Sequence, residues 1–252
     1  MYLQSQLTTL HFFNGVRYNG ESVMSWAKQD PTEKVHRSLA ADGRCYYSYA
    51  QVASAVMNCV PAVESFGPDV FVAIGGGGFI PARMLRTTVK KPILAVSLEL
   101  YDDATRTANT QVLRKQWFDE TPGTFGALVR GKRVLIVDEV DDTRATLQYA
   151  VEELRRLNAP SAIAVMVVHN KLKPKVGTLP EDVTYIAGEH VPNHWNCYPW
   201  DAEAYGRDVY AHEELARRCA GGWSERRKLA WAALAGVAAT TLAFKLSSRG
   251  RI

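Results

Sequence analysis

The amino-acid sequence predicts an α/β fold, a mostly parallel sheet with helices on both faces, and three observations predict it. Apolar, β-branched stretches alternate with helical stretches through the middle of the chain, the order that builds a parallel sheet. Val134 to Val137 is continuously apolar rather than alternating, as a strand covered on both faces must be. Glycine or polar residues follow Ile74, Val137 and Val168, at strand carboxyl ends, where ligands collect in such sheets.

The elements follow in order. Residues 1 to 44 mix short apolar and polar pieces and read as an N-terminal extension of unassigned role. Glu21, Asp30, Glu33 and Asp42 separate it from the acid-poor pattern of an organelle presequence. A helix is expected over 49–66, a strand over 70–74, a helix over 80–88 and a strand over 93–98. Residues 101 to 114 have no sustained apolar period and read as a long polar stretch to which no element is assigned. After the strand at Val134 to Val137, Leu147, Ala150, Val151, Leu154 and Leu157 recur at helical spacing from Ala145 onward. A further strand is expected over 162–168.

Composition narrows the function. The chain is 47% hydrophobic and 22% charged over 252 residues, enough for a sizeable core. A net charge of +4, partly in the C-terminal tail, gives no argument for nucleic acid. Cys45, Cys59, Cys197 and Cys219 form no C-x-x-C pair, so neither a zinc site nor a disulfide framework is indicated. His190 and His194 are four apart, but Pro192 breaks the helix that would align them.

The run Arg133 to Leu147 carries the chemistry. A buried strand leads into Asp138, Glu139, Asp141 and Asp142, then a hydroxyl-bearing turn, then a helix. Free N–H groups at that helix start, around Thr143 to Thr146, bind an anion such as phosphate. Carboxylates beside a phosphate pocket would repel the ligand unless they face hydroxyls or magnesium. A generic acidic helix start, favourable to the dipole, is the plainer alternative. Gly75 to Gly78 lack every Cβ, so the backbone can approach a diphosphate and take positive φ. A plain flexible turn is the alternative there; the position between strand and helix favours a contact.

The run 133–147 resembles the signature of the type I phosphoribosyltransferases. Phe71 to Arg86, Arg114-Lys-Gln-Trp117, His169 to Lys175 and His194 to Asp201 are similar, in order, to the fungal hypoxanthine/xanthine-guanine branch, over roughly residues 45 to 215. The resemblance implies a type I phosphoribosyltransferase fold over 45–219 with a small C-terminal hood, and a homodimer. It implies purine salvage: a 6-oxopurine (hypoxanthine, guanine or xanthine) and 5-phosphoribosyl 1-diphosphate give the nucleoside 5′-monophosphate and pyrophosphate. Two other readings stay open, a regulator that senses phosphoribosyl diphosphate and a transferase for another nucleobase.

The resemblance also implies residue roles. Gly76 and Gly77 would contact the diphosphate. Asp138 and Glu139 would face the ribose hydroxyls and Mg2+. Asp142 would act beside N7 of the base, taking or sharing its proton. Thr143, Arg144, Ala145 and Thr146 form the 5′-phosphate loop. Arg144 stands where the wider family has glycine, and its fork of donors could strengthen phosphate binding. Asp141 receives no role, and Arg83 reads as a helix-surface charge. Lys171 would donate to the 6-oxo group, against the alternative of a solvated lysine beside Lys173 and Lys175. Trp195 would stack on the base, Asn196 would offer backbone contacts, and Asp201 would lie near the purine 2-position or an associated metal. The stretch 101–114 corresponds to a mobile lid.

The segment 220–252 departs from the family. After Glu225-Arg-Arg-Lys228, sixteen residues from Leu229 to Phe244 carry no charge, and Lys245 follows. As a helix they span about 24 Å at ~1.5 Å per residue, short of the roughly 30 Å bilayer core. Snorkelling by Lys228 and Lys245 could extend the span. The segment reads as a membrane anchor holding a cytoplasmic enzyme to an organelle surface, or as a hydrophobic helix docked on protein.

Overall fold

The protein is described by a computed structural model over residues 38–102, 107–118 and 123–220. A six-stranded sheet forms the body. Its strands are β2 (Val70–Gly75), β3 (Ile93–Asp102), β4 (Thr107–Gln116), β5 (Arg133–Asp141), β6 (Ala162–Lys171) and β7 (Thr184–Val191), ordered β4-β3-β2-β5-β6-β7. All neighbours are parallel except the edge strand β4, which is antiparallel to β3.

Successive residues of each central strand enter opposite cores, which is why these strands read as continuously apolar. Phe71, Ala73, Leu135, Val137, Ala164 and Met166 pack on one face with α1 (Tyr49–Phe66) and α2 (Phe79–Leu85). Val72, Ile74, Val134, Ile136, Val165 and Val167 pack on the other with α3 (Ala145–Glu153), through Leu147, Ala150 and Val151. A capping box between Ser48 and Gln51 starts α1, and Gly67 in the left-handed region ends it. Gly188 of β7 lets α1 close in, because a Cβ there would meet the carbonyl oxygens of Ala55 and Val168.

A second, two-stranded sheet pairs β1 (Cys45–Tyr46) in parallel with β8 (Asn196–Cys197). With the helical turn Pro199–Tyr205 and the helix 209–220 it forms the hood expected at the C-terminal end. Residues 38–44 pack here too: Ser38 N–H donates to the Cys219 carbonyl at 3.3 Å, and Tyr46 Oη donates to Asp42 Oδ2 at 2.6 Å.

Several elements differ from expectation for physical reasons. The polar stretch 101–114, given no element from the sequence, is strand in its described part. β3 continues to Asp102 and β4 runs back from Thr107. An edge ribbon with one wet side needs no apolar period. β5 extends to Asp141 and β6 to Lys171, because Val140 pairs with His169 and Asp141 with Asn170. The acids Asp138, Glu139 and Asp141 therefore lie on a strand, not in a turn. β7 and β8 were hidden by Gly188 and by shortness. α2 ends at Leu85, three residues before the expected limit. The tail 221–252 and most of the extension, 1–37, lie outside the described residues. Among the described residues no helix is long and apolar enough to cross a membrane.

Candidate active site

Chain order reverses between β2 and β5: β3 and β4 lie on one side, β6 and β7 on the other. The carboxyl ends of β2 and β5 therefore open a crevice at the switch point. A cavity of about 270 Å³ occupies it, lined by Gly75, Gly76 and Gly77 from one strand end and by Asp138 to Arg144 and Thr146 from the other. Leu98 and Glu99 of β3 close a third side.

At the glycine turn none of the four residues takes positive φ, contrary to expectation. Close approach explains them instead. A Cβ on Gly77 would overlap the Glu139 carboxylate, and one on Gly78 would run into the carbonyl oxygens of Val137 and Ile74. At Gly76 nothing lies within 4 Å of the Cβ position, so its backbone is open to a ligand.

The α3 start is built for an anion. Its N-cap is Arg144, whose side chain makes no capping bond, and the first intrahelical bond runs from Gln148 N–H to Arg144 O at 2.9 Å. Ala145 N–H has only a long contact, 3.5 Å, to Thr143 Oγ1. The N–H groups of Ala145 and Thr146 are thus left for a ligand. Arg144 itself has φ 69° and ψ −4°, a left-handed conformation that costs a side-chain-bearing residue roughly 1–2 kcal/mol.

The fork of Arg144 meets Asp141. Its Nε and Nη2 donate to Asp141 Oδ2 at 3.0 and 2.8 Å, and its guanidinium lies 4.8 Å from the Tyr185 ring centroid. Tyr185 Oη donates to the same carboxylate oxygen at 2.8 Å. Lys175 Nζ sits 3.3 Å from Asp141 Oδ1, an ion pair without hydrogen-bond alignment, and bonds the Asp141 and Asp142 carbonyls at 2.6 and 3.1 Å. Burial pushes the Lys175 ammonium below its ordinary range despite these acids.

Three lysines at alternate positions turn inward on an extended segment. Lys171 is buried and Lys173 and Lys175 are half-buried, while Leu172, Pro174 and Val176 are exposed. Lys173 Nζ reaches Asp142 Oδ1 at 2.8 Å and Lys171 Nζ reaches it at 3.4 Å. Burial alone would raise the Asp142 carboxyl, but the Lys173 bond and the Lys171 charge outweigh it and hold it below its usual value. Asp142 is a stable anion. Lys171 is therefore not the solvated lysine of the alternative reading. Lys173 and Lys175, assigned no role from the sequence, could have been found by their period of two.

Asp138 behaves oppositely. Burial raises its carboxyl well above the usual range, and the adjacent Glu139 charge adds to the rise. Two crowded carboxylates with no ion pair among the described residues fit a divalent cation and ligand hydroxyls. Among the described residues no group of three or more His, Cys, Asp or Glu forms a metal cage, so a cation here would draw its other ligands from water and substrate.

The remaining candidates lie on the hood. Trp195 is 57% exposed, its ring centroid 6.0 Å from Lys171 Nζ, and its Nε1 donates to Tyr205 Oη at 3.4 Å. Asn196 is buried in β8, where the flanking Trp195 and Cys197 carbonyls accept from Cys45 and Tyr47 at 2.9 and 3.0 Å. Asp201 is exposed on the turn Pro199–Tyr205, and it, Asn196, Trp195 and Lys171 do not line the cavity. Arg83 is exposed on α2, as expected of a surface charge. Sequence reasoning missed Tyr198, which donates to the Glu139 carbonyl at 3.2 Å and meets His169 Nδ1 at 2.8 Å, tying hood to strand end.

A switch-point crevice that joins an open glycine backbone, a strand-end acid pair and a helix start defines an α/β protein that handles a phosphorylated, hydroxyl-bearing ligand. Comparison narrows the class. The phosphoribosyl transferase domain model matches residues 49–204, and the chain belongs to that family. It is 39% identical over 213 residues to xanthine phosphoribosyltransferase 1 of Saccharomyces cerevisiae, spanning 71% of this chain and 98% of that protein. It is 41% identical over 196 residues to hypoxanthine-guanine phosphoribosyltransferase of Schizosaccharomyces pombe, spanning 68% and 93%. Among solved structures, a hypothetical protein from Neisseria gonorrhoeae with bound ppGpp aligns at TM-score 0.60 and 35% identity, over 73% of this chain and 98% of that one.

The Asp138 environment yields a stability prediction. A carboxyl raised above its unfolded value, about 3.9, favours the folded state in acid, and that benefit is lost as pH rises through the folded value. At pH 7 the ligand-free protein therefore carries strain that Asp138→Asn should relieve. The expected gain is about 1 kcal/mol, a Tm rise of roughly 2–4 °C by calorimetry. An unchanged or lower Tm would mean that the acid is already paired in the free protein.

Proposed function

We propose that the chain is a purine-salvage phosphoribosyltransferase, joining hypoxanthine, guanine or xanthine to 5-phosphoribosyl 1-diphosphate. The observation that carries this reading is Asp142, an anion held by Lys173 and Lys171 where the phosphate-loop cavity meets the Trp195 face of the hood. The names of the two yeast relatives above support the same substrate class.

In the proposed reaction the N9–C1′ bond forms as the C1′–oxygen bond to pyrophosphate breaks, the electron pair leaving with pyrophosphate. The proton lost from the base passes to, or is shared with, Asp142. Gly76 and Gly77 present backbone to the diphosphate, and Thr143 to Thr146 hold the 5′-phosphate. Asp138 and Glu139 would hold the ribose hydroxyls and Mg2+; magnesium, when bound, supplies charge that offsets the leaving group. Lys171 donates to the 6-oxo group and Trp195 covers the base. Asn196 and Asp201 belong to the purine 2-position side by family resemblance. The β3–β4 ribbon, whose Leu98 and Glu99 line the cavity, is the element placed to exclude water from a cationic ribose.

The test is product formation with magnesium, phosphoribosyl diphosphate and one base at a time. Turnover with 6-oxopurines but not adenine is expected; tight phosphoribosyl diphosphate binding without turnover on any base would favour a regulator. Asp142→Asn should lower kcat by about 10²-fold or more with phosphoribosyl diphosphate affinity largely kept. Lys171→Ala should weaken 6-oxopurine use selectively, and equal loss across all bases would remove it from recognition. We further propose that residues 229–244 tether the enzyme to an organelle membrane. A full-length reporter fusion should pellet with membranes and a fusion lacking residues 223–252 should not; a soluble full-length fusion would end the idea.

A further inference from the structure

Asp141 takes no part in the proposed chemistry, yet it is the acid to which Arg144 of the phosphate loop is tied. Its side chain is fully buried, and one oxygen accepts both Arg144 nitrogens and the Tyr185 hydroxyl. We propose that Asp141 is a positioning residue. It holds the Arg144 guanidinium, and through it the left-handed turn that aims the N–H groups of Ala145 and Thr146 at a 5′-phosphate. Arg144 is then a strut for the loop rather than a phosphate ligand, a conclusion that rests on the function proposed above.

Three observations support it. The Nε–Nη2 edge of the Arg144 fork is engaged, since both nitrogens lie on Asp141 and the guanidinium face stacks on Tyr185, which holds the group toward the sheet. Both anchors are fixed in the sheet, Asp141 by pairing with Asn170 and Tyr185 by pairing with Val165. The turn is also clasped from outside. Val176 and Gly177 N–H both donate to Thr143 O at 3.0 Å, and a Cβ on Gly177 would lie 2.6 Å from Arg144 O. A helix-start anion site works only when its N–H groups already point at the ligand. Glycine would reach that turn unaided. Arginine reaches it against a steric cost, so it needs a holder.

The experiment measures Kd for phosphoribosyl diphosphate with magnesium, and for ribose 5-phosphate, by calorimetry, together with kcat and KM. Arg144→Lys keeps the charge and the steric cost but cannot fork, so it should weaken both ligands by about tenfold. Arg144→Gly removes charge and cost together and should bind both ligands more tightly than the lysine variant does. If Arg144 served as a phosphate ligand, that order would reverse, and the reversal overturns the strut. Asp141→Asn should raise KM for phosphoribosyl diphosphate about tenfold in the arginine background, with kcat within about threefold. In the glycine background it should shift KM less than about threefold. Equal shifts in both backgrounds, or lost kcat with KM unmoved, would mark Asp141 as merely structural. Should Asp141→Asn fail to fold, the lysine–glycine order decides alone. A wild-type protein that binds neither ligand would overturn the functional reading itself, whereas tight wild-type binding with the reversed order overturns only the strut.

Discussion

Parallel pairing of β2 with β5 is the constraint on which the rest of the molecule depends. Val70 to Ala73 lie beside Val134 to Val137, and the sheet grows outward in opposite directions from that pair. Two strand ends of contrary chemistry are thereby fixed side by side, glycines without side chains and a run of carboxylates. Neither end would make a ligand site alone. The glycine turn supplies backbone with open space above Gly76, and the β5 end supplies charge and the α3 start. Both apolar faces of the strands are spent on holding this pair, through α1 and α2 on one side and α3 on the other.

The charges around the crevice are sorted by how they are compensated. Asp142 is held as an anion by Lys173 and Lys171, and Asp141 is compensated by Arg144, Tyr185 and Lys175. Asp138, beside Glu139, has no comparable cation and resists ionisation. The acids given internal partners are those to which the proposed function and the proposed strut assign a charge to keep or a loop to hold. The acid without one is where an external cation and hydroxyls would gain most. A site that is unfavourable when empty and satisfied when filled is the usual compromise between stability and binding.

Residue chemistry in the sequence was legible where it is local. Val134 to Val137 announces a doubly covered strand because every position is apolar, and Leu147, Ala150 and Val151 announce the α3 face by spacing. The order of motifs at Gly75, Asp138 and His169 was enough to expect a parallel sheet with its ligands at the strand ends. The β3–β4 ribbon was not legible, since an edge strand with a wet face carries no apolar signature. Neither was β7, whose alternation Gly188 interrupts.

The sequence by itself determined the fold class, through local pattern, and the acids, glycines and lysines available to a site; the family followed from the resemblance of its motifs. Only the tertiary structure decided what each one touches. Register between β5 and β6 placed the Asp141 carboxylate within reach of Tyr185 of β7 and of the Arg144 fork. Extension of the chain past β6 turned Lys171, Lys173 and Lys175 inward and left Leu172 and Val176 in solvent. Such choices rest on contacts between residues far apart in the chain, where the desolvation of a charge and the partner that offsets it are settled together.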